Sequence, residues 1–134
     1  TRYIGDWSSD VCSSDLMFEP NKPDVGHIVA PDVGFVRFEH VAEAPDRFCS
    51  TYPDFAVEVR SPSNRLSDDE AKVQRYLDAG TSLVWLVEPS SETVTVYRPS
   101  RDPQRYSSGA TLTGEDVVPG FEIAVDLIFQ RPGR

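Results

Sequence analysis

PDFAVEVRSPS, residues 53–63, is the stretch from which the fold is read. Phe55, Val57 and Val59 alternate with Asp54, Ala56, Glu58 and Arg60, and successive side chains of a strand point to opposite faces. One face is therefore apolar and the other gathers the charge. Pro62 ends the run, since it brings no amide hydrogen to continue a ladder.

Working outward toward the C-terminus, Ser67-Asp68-Asp69-Glu70 reads as a capping box, with Ser67 as N-cap and Glu70 three positions on. AKVQRYLDA continues the helix and Gly80 closes it. Val73, Tyr76 and Leu77 form its buried stripe. At roughly 100° per residue, Lys72 lies on the border of that stripe, so its stem can follow apolar surface while its ammonium reaches past the edge. SLVWLV (82–87) and TVTVYR (93–98) are then two strands joined as a hairpin, the first almost wholly apolar and hence expected at the centre of a sheet. After a polar stretch at 99–109, Phe121, Ile123 and Val125 alternate as a last short strand, and residues 126–129 form a terminal helical turn. Toward the N-terminus, PDVGFVRFE (31–39) carries apolar residues on both faces and reads as a strand at least half buried on each side. Residues 18–31, punctuated by Pro20, Pro23 and Pro31, read as loop.

Composition bounds what such a chain can be. With 134 residues, 39% hydrophobic and 26% charged, one soluble domain is expected. No run approaches the roughly 20 apolar residues that span a bilayer, and residues 1–16 lack the basic start and apolar stretch of a secretory signal. A cytoplasmic location is the expectation. Within that opening segment, GDWSSDVCSSDL (5–16) resembles the conceptual translation of a sequencing-adapter oligonucleotide, so 1–16 is read as non-native and 17–134 as a partial domain. A Ser/Asp-rich natural tail is the other reading. Setting aside Asp6, Asp10, Asp15 and Arg2 moves the net charge from −9 to −7. An acidic surface opposes non-specific DNA binding, although carboxylates neutralised by a bound cation are counted here as bare charge. Cys12 and Cys49 offer no Cys-x-x-Cys spacing, and His27 and His40 stand too far apart for a helical zinc pair.

Four residues could carry chemistry: Asp32 at a strand start, Asp54 and Glu58 on one face of the next strand, and Lys72 on the helix that follows. Phosphodiester hydrolysis is commonly done with a hard divalent cation held by oxygen ligands, which polarises the phosphoryl group and generates hydroxide from water. A nearby lysine can steady charge growing on the phosphate. Each residue also has an ordinary reading. Asp32 and Asp54 both follow proline, a common strand-entry pair. Glu58 and Arg60 could be the wet face of an amphipathic strand, and Lys72 a solvated helix residue aided by Asp68.

Taken in order, PDVGFV, PDFAVEVRSPS, KVQRYLDAG, VWLVEPSSETVTVYR and LTGEDVVPGFEIAVDLIF resemble the Uma-type restriction endonuclease family of the PD-(D/E)XK nuclease superfamily, from about Pro31 to Phe129. The resemblance implies an α/β (α+β) fold in which a central mixed sheet is flanked by helices. It also implies a Mg2+- or Mn2+-dependent endonuclease acting on DNA, with Asp32, Glu58 and Lys72 catalytic and Asp32 and Glu58 as metal ligands. Asp54 is a further candidate ligand, although ~13 Å along an extended strand separates it from Glu58. In the superfamily pattern the lysine follows the acid by two residues, and Arg60 stands in that slot; the family's answer is a lysine moved to the helix, which Lys72 fits. Family members carry a helix and strands ahead of the first Pro-Asp, so a chain without them is expected to expose a strand edge and to cut DNA weakly. A homodimer is the expected arrangement for a double-strand cutter, with no stretch that specifies an interface. The competing reading is a non-catalytic interaction module that retains the fold. A nucleotide-binding protein or a serine hydrolase has less support, because neither a Gly-x-x-x-x-Gly-Lys loop nor a Gly-x-Ser-x-Gly elbow occurs.

Overall fold

The computed structural model describes residues 31–37 and 52–131 in full, together with the backbone of short strand segments at 2–3, 9–13, 17–18 and 48–49. In chain order the elements are β1 (Arg2–Tyr3), β2 (Ser9–Ser13), β3 (Met17–Phe18), β4 (Val33–Arg37), β5 (Phe48–Cys49), β6 (Phe55–Val59), α1 (Leu66–Ala79), β7 (Leu83–Glu88), β8 (Thr93–Tyr97), β9 (Gln104–Tyr106), β10 (Thr111–Thr113), β11 (Glu122–Ala124) and α2 (Val125–Ile128). Seven of these strands make one sheet in the order β1-β2-β4-β6-β7-β8-β9. Only β6 and β7 run parallel in it, with Phe55 opposite Leu83 and Glu58 opposite Leu86. A parallel neighbour cannot be reached through a tight turn, and α1 supplies the crossover.

The sheet is a partition between two cores. On one face Phe35, Phe55, Leu83, Trp85, Val94 and Val96 are covered by the C-terminal segment through Leu112, Val117, Val118 and Val125. On the other, Ala56, Val84 and Leu86 lie beneath Val73 and Tyr76 of α1. β7 borders both layers, which is why its first five residues are buried and why its sequence is a continuous apolar run rather than an alternation. The C-terminal cover depends on a close approach at Gly114, where a Cβ would stand 2.3 Å from the carbonyl oxygen of Val118.

Several sequence expectations shift at their edges. α1 begins at Leu66, with Arg65 at the N-cap and no side-chain cap bond, so the capping box at Ser67 does not form. Ser67 lies inside the first turn, and Asp69 is engaged by Arg60. Gly80 does close the helix, at φ 111°, with its amide donating to the carbonyl of Leu77. Strand β6 stops at Val59 and β4 starts at Val33; Phe38 and Glu39 of the expected first strand lie outside the described residues. The polar stretch at 99–109 contains β9, an edge strand paired with β8, whose exposed residues gave no alternation to read. The edge of β4 expected to be open is paired with β2, Val11 standing opposite Phe35.

Candidate active site

β4 and β6 run antiparallel, with Val33 opposite Val57 and Gly34 opposite Ala56. One more step in that register sets Asp32 opposite Glu58, on the face that carries Ala56 and is covered by α1. Directly opposed residues of such a pair have Cβ atoms roughly 5 Å apart. Asp32 is exposed, and its Oδ2 accepts the amide hydrogen of Val59 at 2.7 Å. Glu58 is buried, with 7% of its surface exposed.

The helix brings the remaining groups. Lys72 and Tyr76 are four residues apart and share one flank of α1. Tyr76 donates its hydroxyl to Glu58 Oε1 at 2.7 Å, and Lys72 Nζ lies 3.0 Å from the same oxygen. Lys72 keeps a third of its side chain in solvent, the placement its border position on the helix predicts. Asp32, Glu58 and Lys72 are thus gathered at one end of the β4–β6 pair, against the flank of α1.

Burial is the main force on the Glu58 carboxyl and raises its pKa above the usual carboxylate value; the bonds from Tyr76 and Lys72 pull against it, and the charge of Asp32 adds to the rise. Burial likewise drives the Tyr76 phenol far upward, with the charge of Glu58 next in importance. The Tyr76 hydroxyl therefore stays protonated and acts as a donor.

Two other residues of the sequence reading go elsewhere. Arg60, in the slot two after Glu58, donates from Nε to Asp69 Oδ2 at 3.0 Å and from Nη1 to Glu88 Oε1. It ties the first turn of α1 to the end of β7. Asp54 is buried at the opposite end of β6, where its Oδ2 accepts the amide hydrogen of Arg37 at 2.7 Å. It is not brought to Asp32 and Glu58. Sequence reasoning passed over Tyr76, counting it as core. Its hydroxyl was the available signal, because a buried tyrosine usually finds a partner for its O–H.

Among the described residues no cluster of three or more His, Cys, Asp or Glu side chains forms that could hold a metal ion; His27 and His40 lie outside them. The opposed pair Asp32 and Glu58 offers two hard oxygen donors, one exposed and one buried. That suits magnesium, which typically takes one or two carboxylates and fills its remaining positions with water and substrate phosphate.

Among known proteins, the model of the Uma2 family, described as "Putative restriction endonuclease", matches residues 1–126. A crystal structure of a "putative nuclease belonging to DUF820" from Anabaena variabilis superposes with a TM-score of 0.77 at 19% sequence identity, covering 91% of this chain and 68% of that one. The shared fold is the α/β (α+β) arrangement described above. No curated protein matches the chain. Among the described residues no helix is long and apolar enough to cross a membrane.

Proposed function

The chain belongs to the Uma2 family, and we propose on that footing that it is a Mg2+- or Mn2+-dependent endonuclease that hydrolyses DNA phosphodiesters, with Asp32 and Glu58 holding the cation and Lys72 beside it. The observation that carries this reading is the meeting of Glu58 with Lys72 at 3.0 Å, on the face where the strand register also sets Asp32. Three residues far apart in sequence converge, and their chemistry suits phosphoryl transfer.

When bound, the divalent cation supplies polarisation of the phosphoryl oxygen and acidification of water. The side chains supply position and charge. Asp32, anchored through Oδ2 to the Val59 amide, presents a carboxylate at the solvent edge. Glu58 provides the deeper oxygen donor, held by Tyr76. Lys72 provides a partly exposed ammonium that can steady negative charge on the phosphate as it grows in the transition state. Asp54 has no place in this cage; its carboxylate serves the strand pair at the other end.

The proposal extends to a homodimer on DNA, since two strands require two such sites, and to action in the cytoplasm. Cation binding is the more direct test of the site, because it does not require turnover. Calorimetric titration with Mn2+ should show one carboxylate-dependent site, lost in Asp32→Asn and in Glu58→Gln. Plasmid nicking in Mg2+ should disappear in the same two variants. Absence of Mn2+ binding by the unsubstituted protein would leave the interaction-module reading in its place.

A further inference from the structure

We infer that Tyr76 is a positioning residue of the proposed nuclease site, orienting the buried carboxylate of Glu58 so that Oε1 is turned toward α1 and Oε2 is the oxygen offered to the cation. The inference rests on the reading above and adds a residue to it. Its basis is geometric. Tyr76 and Lys72 both meet Glu58 through Oε1, at 2.7 and 3.0 Å. Two donors converging on one oxygen define the rotation of a carboxylate, which a single donor leaves looser. Of the two, Tyr76 is the fixed one. It has no exposed surface, its ring packs edge-on against Tyr52 at 6.2 Å, and its carbonyl accepts the amide hydrogen of Thr81 where α1 ends at Gly80. Lys72, by contrast, is one-third exposed.

A buried carboxylate with no fixed donor would adopt whichever rotamer best relieves its desolvation. With Tyr76 in place, one oxygen is spoken for and the other direction is set before any cation arrives. Groups that orient a metal ligand in this way typically affect cation affinity about 10- to 100-fold when removed. The hydroxyl meets Oε1 as a donor at 2.7 Å, so Tyr76 acts through Glu58.

The test uses the full chain and Mn2+ alone as probe. Tyr76→Phe keeps the ring and deletes the donor. The expected result is a folded protein whose Mn2+ affinity falls about 10- to 100-fold and whose DNA nicking returns when Mn2+ is raised in proportion. A merely structural tyrosine would shift the melting temperature without that metal rescue. Unchanged Mn2+ affinity in folded Tyr76→Phe overturns the inference and leaves the nuclease reading intact; absent Mn2+ binding in the unsubstituted protein overturns the nuclease reading itself. Should Tyr76→Phe not fold, tyrosine Cζ 13C spectra of the unsubstituted protein decide: the signal that Glu58→Gln displaces must also move on adding Mg2+, and a signal that stays still overturns the inference.

Discussion

At the scale of single residues, the two Pro-Asp pairs are related by the pseudo-symmetry of an antiparallel ladder. Asp32, before β4, accepts the amide of Val59 at the end of β6, and Asp54, before β6, accepts the amide of Arg37 at the end of β4, both at 2.7 Å. Each aspartate satisfies a backbone donor that the ladder leaves over. They differ in surroundings, Asp32 being exposed and opposite Glu58, Asp54 buried. Asp54→Ala is therefore expected to cost about 1–3 kcal/mol of stability, measured by urea denaturation, while leaving Mn2+ affinity near that of the unsubstituted chain. A second prediction concerns Glu58. Because its pKa is raised in the folded protein, the unfolded chain ionises it first and binds fewer protons in the intervening pH range. Its contribution to stability is then complete below the ordinary carboxylate pKa and lost as pH rises through the folded value. Glu58→Gln, which cannot ionise, should melt progressively higher relative to the unsubstituted metal-free protein as pH is raised from about 4 to 7. A melting-temperature difference that does not change with pH would contradict this.

At the scale of elements, α1 is held in place from both ends, and the site depends on that placement. Its first turn is tied to the sheet through Arg60, which bridges Asp69 of the helix and Glu88 of β7. Its last turn is closed by Gly80 at φ 111°, in the left-handed region. Nothing crowds a Cβ at that position, so the cost of a side chain there is conformational. Gly80→Ala should destabilise the protein by about 1–2 kcal/mol, seen as a lower urea midpoint with unchanged slope. Between these anchors Lys72 and Tyr76 come to Glu58, while Val73 and Tyr76 fill the core above Ala56, Val84 and Leu86. Tyr76 thus serves the packing through its ring and the site through its hydroxyl.

At the scale of the whole molecule, charge opposes the proposed substrate. The chain carries a net −9, and nucleic-acid affinity ordinarily draws on the release of counterions by basic groups. Arginines that could contribute are partly committed to acids: Arg60 to Asp69 and Glu88, Arg98 to Glu115. The balance predicts that DNA binding requires a divalent cation. In gel-retardation experiments a DNA duplex should run free in EDTA and be retarded when Ca2+, another oxygen-binding cation, replaces it. Retardation in EDTA equal to that in Ca2+ would show that the site is not what holds the DNA.

How much of this was legible beforehand depends on the range of the forces involved. Local periodicity disclosed the strands found at 33–37, 55–59, 83–88 and 93–97 and the helix closed by Gly80, because apolar spacing of two or 3.6 residues is written along the chain itself. The start of that helix was misread, since it begins at Leu66 with Arg65 at the N-cap and forms without any side-chain cap bond. Strand β9 was not seen, since an exposed edge held by backbone bonds to β8 needs no apolar alternation. For the site, residue types and their order named Asp32, Glu58, Asp54 and Lys72 as candidates. Only the strand register of β4 against β6, and the packing of α1 across the sheet, separated Asp54 from the other three and added Tyr76. Register and helix placement are decided by hydrogen bonds and burial between segments tens of residues apart, and no local pattern encodes them.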